Sequence, residues 1–293
     1  MPFFFSSDCF ECTMLLQCGN KTLDLSVTQV MAVLNVTPDS FYDGGRFMSV
    51  SGVNYDHLLA TAERYVNEGA AILDVGGEST RPDATPISEQ EELDRVIPAV
   101  ERLAQNLDVI ISVDSSSAAV IENAARAGAG MINDVRALRR EGALAVAAST
   151  HLPVCLMHMR GTPQTMQQKP CYDDVLAEVT SFLTERVDAC EKAGIARQRL
   201  LIDPGFGFGK TDEHNLALLA GLKKLSGMGL PILAGLSRKS MIGRLLGREP
   251  DQRLAGSLML AVAAMHNGAR ILRVHDVAET VDVVTLYGLT LGQ

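Results

Sequence analysis

Asp114, Asn133 and Asp203 each stand at the end of a short apolar run, so their side chains meet whatever lies beyond it. An ionised carboxylate only accepts hydrogen bonds, so such groups gathered in one pocket suit a flat heterocycle rich in N–H donors. Each alone could equally cap a following helix, but three in equivalent positions favour a ligand. Arg273 and His275 alternate on one run, which points both side chains to one face. Helix signals follow over residues 276–283, so an anion there would meet two cations and the backbone N–H groups of a helix start. The other reading is an interior salt bridge from Arg273 to Asp276 or Glu279. Lys239-Ser240 opens a helix where a carboxylate could sit, although a lysine in that place could also form a Schiff base. Asn35 could lend an oxygen to Mg²⁺, which takes few protein ligands and prefers substrate phosphates; alone it reads more simply as a turn residue. Thr37-Pro38-Asp39-Ser40-Phe41 and Asp43-Gly44-Gly45 then read as a mobile lid. In a second loop, Glu78 to Pro82, Thr80 can donate to an anion and Arg81 can screen one. His158 reads as packing, or as a support to neighbouring site residues, rather than as a catalytic group.

Eight runs must position these residues. Leu34 leads to Asn35, Leu73 to Asp74, Ile111 to Ser112 and Asp114, Ile132 to Asn133, Leu156 to Met157, Ile202 to Asp203, Leu233 to Ser237, and Leu272 to Arg273. Short apolar runs of this kind imply strands buried on both faces, and so a parallel sheet. Helical patterns at 56–68, 89–103, 118–127, 175–193 and 253–266 supply the crossovers that parallel strands require. Eight units in this length predict a single-domain α/β fold, the (β/α)8 TIM barrel, whose chemistry sits at the C-terminal strand ends. A doubly wound sheet is the structural alternative.

Composition sets further limits. The net charge is −9 over 293 residues, which argues against a nucleic-acid partner, since phosphate backbones call for a basic face. No apolar stretch approaches the roughly 20 residues of a membrane span, which predicts no membrane partner; residues 256–265 come nearest and read as a buried helix. Residues 1–13 read as an N-terminal extension outside the fold, with residues 14–293 forming the domain. Cys9 and Cys12 form a lone C-x-x-C, too little for a zinc site, and six scattered cysteines suggest thiols kept reduced in a cytoplasmic protein. Gly205-Phe206-Gly207-Phe208-Gly209-Lys210-Thr211 imitates a phosphate loop. That motif needs glycine where Pro204 stands, and the dinucleotide pattern needs glycine where Lys210 stands.

Taken in order, Asn35-Val36-Thr37-Pro38-Asp39-Ser40-Phe41, Gly77-Glu78-Ser79-Thr80-Arg81-Pro82, Asn133-Asp134, Asp203-Pro204-Gly205-Phe206-Gly207-Phe208-Gly209-Lys210, Ser237-Arg238-Lys239-Ser240 and Arg273-Val274-His275-Asp276-Val277 resemble the dihydropteroate synthases. The resemblance runs from about residue 14 to the C-terminus. It implies a folate-pathway transferase with a (β/α)8 fold that joins (7,8-dihydropterin-6-yl)methyl diphosphate to 4-aminobenzoate. It further implies that Asp114, Asn133, Asp203, Lys239 and Arg273 hold the pterin, with Asp203, Lys239 and Arg273 closest to the chemistry. Thr80, Arg273 and His275 would hold the diphosphate, with Asn35 on Mg²⁺. Ser240, Thr80, Arg81, Pro82 and Phe41 would surround 4-aminobenzoate. A homodimer and the role of a sulfonamide target belong to the same resemblance. Asp83, Tyr42 and Ser115 depart from the family's usual residues. A pterin-binding methyltransferase, a non-catalytic pterin-binding paralogue and a Schiff-base aldolase using Lys239 are the competing readings.

Overall fold

Every apolar run becomes a strand in the computed structural model, which describes residues 14–37, 48–49, 52–79, 85–162, 165–166 and 170–290. Phe41, Tyr42, Thr80, Arg81, Pro82, Asp83 and the 1–13 extension with Cys9 and Cys12 lie outside the described residues. The order begins with a hairpin, β1 (Leu15–Cys18) and β2 (Lys21–Asp24), and then β3 (Gln29–Asn35). A two-residue pair, β4 (Met48–Ser49) and β5 (Gly52–Val53), precedes α1 (Tyr55–Asn67). Strands and helices then alternate: β6 (Ile72–Gly76), α2 (Glu89–Asn106), β7 (Ile110–Asp114), α3 (Ala118–Ala127), β8 (Met131–Asp134), α4 (Ala143–Thr150), β9 (Val154–Met157), α5 (Val175–Lys192), β10 (Leu200–Asp203), α6 (Asp212–Leu225) and β11 (Ile232–Ala234). The chain ends with α7 (Ser240–Leu246), α8 (Leu254–His266), β12 (Ala269–Val274) and α9 (Val277–Thr290).

The last strand returns to the first of the eight. β12 pairs in parallel with β3, Ile271 beside Gln29 and Arg273 beside Met31, which closes the cylinder and excludes the doubly wound alternative. Inside, side chains alternate with period two. Each strand sends one apolar residue to a common floor: Met31, Ile72, Ile110, Met131, Cys155, Leu201, Leu233 and Ile271. The β1–β2 hairpin seals that floor from below with Leu16, Cys18, Leu23 and Leu25, all buried. A barrel interior is a packed core and not a pore, and each such aliphatic side chain contributes about 1.5–3 kcal/mol by leaving water. Two residues above the floor five of the eight strands turn polar, at Asp74, Ser112, Asn133, Asp203 and Arg273, so the mouth is lined without breaking the core.

The expectation of a buried helix at 256–265 needs correction. α8 buries Ser257, Ala261, Ala264 and Met265, whereas Met259 is 65% exposed. The helix is apolar all round, and only one stripe of it reaches the barrel. Leu286 and Leu289 of α9, which packs beside α8, extend the uncovered apolar face. Among the described residues, no helix is long and apolar enough to cross a membrane.

Candidate active site at the barrel mouth

Register alone assembles the polar ring. Asn35 lies beside Gly76, Gly76 beside Asp114, and Asp114 beside Asn133. Four neighbouring strands therefore carry one continuous row, and Asp203 enters from β10, opposite Met157 of β9. Gly76 is a gap with a purpose. A Cβ there would stand 3.4 Å from Asp114 Cβ and 3.5 Å from Asn35 Oδ1. Its absence lets the amide oxygen and the carboxylate face each other across the strand.

Capping does not explain these residues. Ser117 caps α3 by accepting from the Val120 N–H, and α4 starts at Gly142 without a side-chain cap. Asp114 and Asn133 instead join a buried network. Arg273 donates through Nε to Asp74 Oδ2 at 2.6 Å and through Nη2 to Asp114 Oδ2 at 2.9 Å. Asn133 Nδ2 donates to the same Asp74 oxygen at 3.1 Å. Neither expected partner of Arg273 is used: Asp276 holds Arg238, whose Nε donates at 2.8 Å, and α9 carries Glu279 away behind it. Strand alternation sends Arg273 inward across the cylinder.

Asp74 is the residue the sequence reading passed over. It is fully buried and central, and its Oδ1 finds no hydrogen-bond partner among the described residues. With two carboxylates on one guanidinium, burial first and Asp74 second push the Asp114 carboxyl well above the ordinary range. Burial works against the Arg273 charge, but Asp74 and then Asp114 outweigh it and hold the guanidinium protonated.

Asp203 accepts the Gly205 N–H at 2.7 Å. Burial raises its carboxyl to about 6 despite that bond and the charges of Lys239, Lys210 and Arg273. Lys239 lies at the start of α7, its Nζ 4.3 Å from the centre of the Phe208 ring. Burial and then Arg273 lower its amine to about 8, with Asp203 acting in the other direction. Phe208 backs onto an apolar group of Val135, Met157, Met159 and Met166, a greasy wall beside the polar ring. The pocket thus offers acceptors along one edge, a cation over an aromatic face and apolar packing around it.

The remaining candidates are placed more loosely. His275 falls just beyond β12, so it is not the strand residue expected to share a face with Arg273. It turns to β11's loop, where its N–H and Nδ1 meet Ser237 Oγ at 3.2 and 3.1 Å. Ser240 is exposed as the first residue of α7. Glu78, at the root of the loop that carries Thr80 and Arg81, is gripped by both Arg136 nitrogens at 2.9 Å. His158 is buried, with its Nδ1 2.9 Å from Lys210 Nζ.

Fold and site together define a (β/α)8 enzyme that clasps a flat, N–H-rich ring at the mouth of the cylinder. Residues 31–275 match the model of the pterin-binding enzymes. The chain is 53% identical over 280 residues to the dihydropteroate synthase of Escherichia coli K12, covering 95% of this chain and 97% of that one. It superposes on the Yersinia pestis dihydropteroate synthase with a sulfonamide drug complex at TM-score 0.91 and 52% identity, over 95% and 100% of the two chains. The Xanthomonas albilineans dihydropteroate synthase with 4-aminobenzoic acid gives 0.88 and 50%, over 96% and 99%. The chain belongs to the pterin-binding enzyme family and, within it, to the dihydropteroate synthases.

Proposed function

We propose that this chain makes 7,8-dihydropteroate from (7,8-dihydropterin-6-yl)methyl diphosphate and 4-aminobenzoate. The aniline nitrogen forms a bond to the pterin methylene, the C–O bond to diphosphate breaks, and the nitrogen then releases a proton. The carrying observation is the row Asn35, Gly76, Asp114 and Asn133 on four successive strands, with Asp203 beyond it and Arg273 crossing from β12. Asp114, Asn133 and Asp203 accept from or pair with the pterin's N–H edge, and Lys239 and Arg273 flank the ring. As the C–O bond lengthens, positive charge grows on the methylene, and the ionised Asp203 stabilises it electrostatically. An aniline is already a nucleophile, so no strong base is called for.

The diphosphate lies toward Arg273, His275 and the loop residue Thr80. Ser240, with Thr80, Arg81, Pro82 and Phe41 by the family resemblance, would contact 4-aminobenzoate, and excluding water there would protect the electrophile. Mg²⁺ suits this donor set. Asn35 Oδ1 and Asp114 Oδ2 both border the space that a Gly76 side chain would fill, at 3.5 and 3.6 Å from its Cβ position. Mg²⁺ takes few protein ligands and binds substrate phosphates, so it would arrive with the diphosphate oxygens. Asn35 would hold it, and it would supply positive charge to the departing diphosphate.

The open apolar face of α8 and α9 supports a homodimer, and the free thiols of Cys18, Cys155, Cys171 and Cys190 support a reducing, cytoplasmic setting. A diphosphate-release assay tests the reaction. Release must require both substrates together and fall when Mg²⁺ is chelated; pterin binding without release would indicate the non-catalytic paralogue.

A further inference from the structure

We propose that Lys210, excluded above as a phosphate-loop lysine, is a positioning residue for the pterin pocket: its buried ammonium fastens the loop after β10 to the end of β9 and so sets the Phe208 ring beneath Lys239. The inference deepens the pterin reading of this site and rests on it. Lys210 is 1% exposed. Its Nζ donates to Gly205 O at 2.9 Å, to Phe208 O at 3.0 Å and to His158 Nδ1 at 2.9 Å. An ammonium has three protons, and these three acceptors take them, with His158 O a longer fourth contact at 3.5 Å. Nothing remains for a ligand, so the group acts through what it holds.

What it holds needs holding. Gly205, Gly207 and Gly209 have φ of +70°, +80° and +66°, and a stretch with that much backbone freedom does not choose one shape by itself. At Gly205 the loop presses so closely on β9's end that a Cβ would lie 1.9 Å from His158 O. Other ties fix the flanks: Asn215 Oδ1 accepts from Gly207 N at 2.8 Å, and Tyr172 OH donates to Gly209 O at 2.8 Å. The Phe208 N–H also donates to Gly205 O at 3.1 Å, but among the described residues only the Lys210 side chain clamps the carbonyls of both Gly205 and Phe208, and Phe208 carries Lys239 above its ring at 4.3 Å. His158 must accept at Nδ1 for the clamp to close. Burial, then Lys210, keep that imidazole neutral by lowering it to about 3, with Arg139 and Arg160 adding to the effect. Burial lowers the Lys210 amine to about 7, Asp203 on β10 opposing that shift and Lys239 on α7 adding to it, and Lys210 in turn helps Asp203 to ionise.

Lys210→Met keeps most of the volume and removes charge and donors. In the folded variant, calorimetric titration with 6-hydroxymethyl-7,8-dihydropterin should show Kd raised roughly tenfold, the order expected when buried carbonyls lose a charged donor. KM for the pterin diphosphate should rise with it while kcat changes less than about threefold. The acid limb of pterin binding should move to higher pH, because Asp203 loses a cation; a lysine with only a structural role would leave that limb in place. Phe208→Leu combined with Lys210→Met should cost less than the sum of the two single changes. A folded Lys210→Met protein with unchanged Kd and acid limb, or strict additivity with Phe208→Leu, overturns the proposal. His158→Leu, which removes one acceptor and no charge, carries the Kd and additivity readouts if Lys210→Met does not fold. Failure of the unaltered protein to bind the pterin would instead refute the functional reading beneath it.

Discussion

Asp203→Asn should separate chemistry from stability in opposite directions. Asp203 is 5% exposed, and burial raises its carboxyl from 3.8 to about 6. At about 1.4 kcal/mol for each tenfold change in proton affinity, keeping it ionised at neutral pH costs the folded state about 3 kcal/mol. The sign follows from the direction of the shift. The folded protein holds this proton more tightly than the unfolded chain, so stability declines as pH rises from 3.8 to about 6 and stays lowered above that. Asparagine keeps an oxygen for the Gly205 N–H, which lies 2.7 Å away, and carries no charge to bury. Calorimetry at pH 7 should therefore find Tm equal to or above that of the unaltered protein, with a smaller decline between pH 4 and 6.

Turnover should go the other way. The substitution replaces a charged acceptor by an amide that can aim N–H at the pterin's N–H, losing a bond worth about 1.5–3 kcal/mol. That corresponds to a fall in kcat/KM of roughly ten- to hundredfold, before any loss of stabilisation of the cationic methylene. Diphosphate release with both substrates reads it. A kcat/KM within threefold of the unaltered enzyme removes Asp203 from the pterin site, and a Tm several degrees lower at pH 7 shows that the charge stabilises the fold after all.

Three further outcomes follow from the same geometry. The pH profile of kcat/KM should be bell-shaped, falling below about 6 as Asp203 takes a proton and above about 8 as Lys239 loses one; a flat profile across that range contradicts both assignments. Asp74→Asn should weaken pterin binding by up to roughly tenfold and lower Tm by a few degrees, because Arg273 exchanges a charged acceptor for a neutral one. It should also let Asp114 ionise at lower pH, since Asp74 is the nearest charge opposing it, and an unshifted Asp114 titration by NMR would argue against the coupling. Met259→Glu, on the exposed stripe of α8, should convert a dimer into a monomer in light scattering; an unchanged mass places the subunit contact elsewhere.

The strands were legible because each apolar run ends in polar residues at the same end, which is what a core beneath a working rim imposes on a sequence. Closure was legible only by counting to eight. The contact that produces it, Ile271 beside Gln29, joins residues from opposite ends of the chain, and no local pattern announces it. The β1–β2 hairpin escaped notice because four-residue strands alternating exposed and buried carry little periodic signal. α8 misled in the other direction: a helix apolar on every side reads as interior, and only the structure shows which side the barrel leaves uncovered.

Asp74 and the partner of Arg273 expose one shared error, that of looking along the chain instead of across the cylinder. Arg273 was matched with acids three and six residues onward, within reach of a helix start. Inside a closed barrel a side chain pointing inward meets side chains from distant strands at the same height. Counting upward from the floor in steps of two gives Ile72, Asp74 and Gly76 on β6, Ile110, Ser112 and Asp114 on β7, Met131 and Asn133 on β8, and Ile271 and Arg273 on β12. Asp74 thus sits one layer below Asp114, where a long guanidinium arm from β12, two strands from β6 and three from β7, bridges both layers, donating to Asp74 and Asp114 at once. The sequence held that signal in its spacing, and it becomes readable only once the floor residues set a common height for all eight strands.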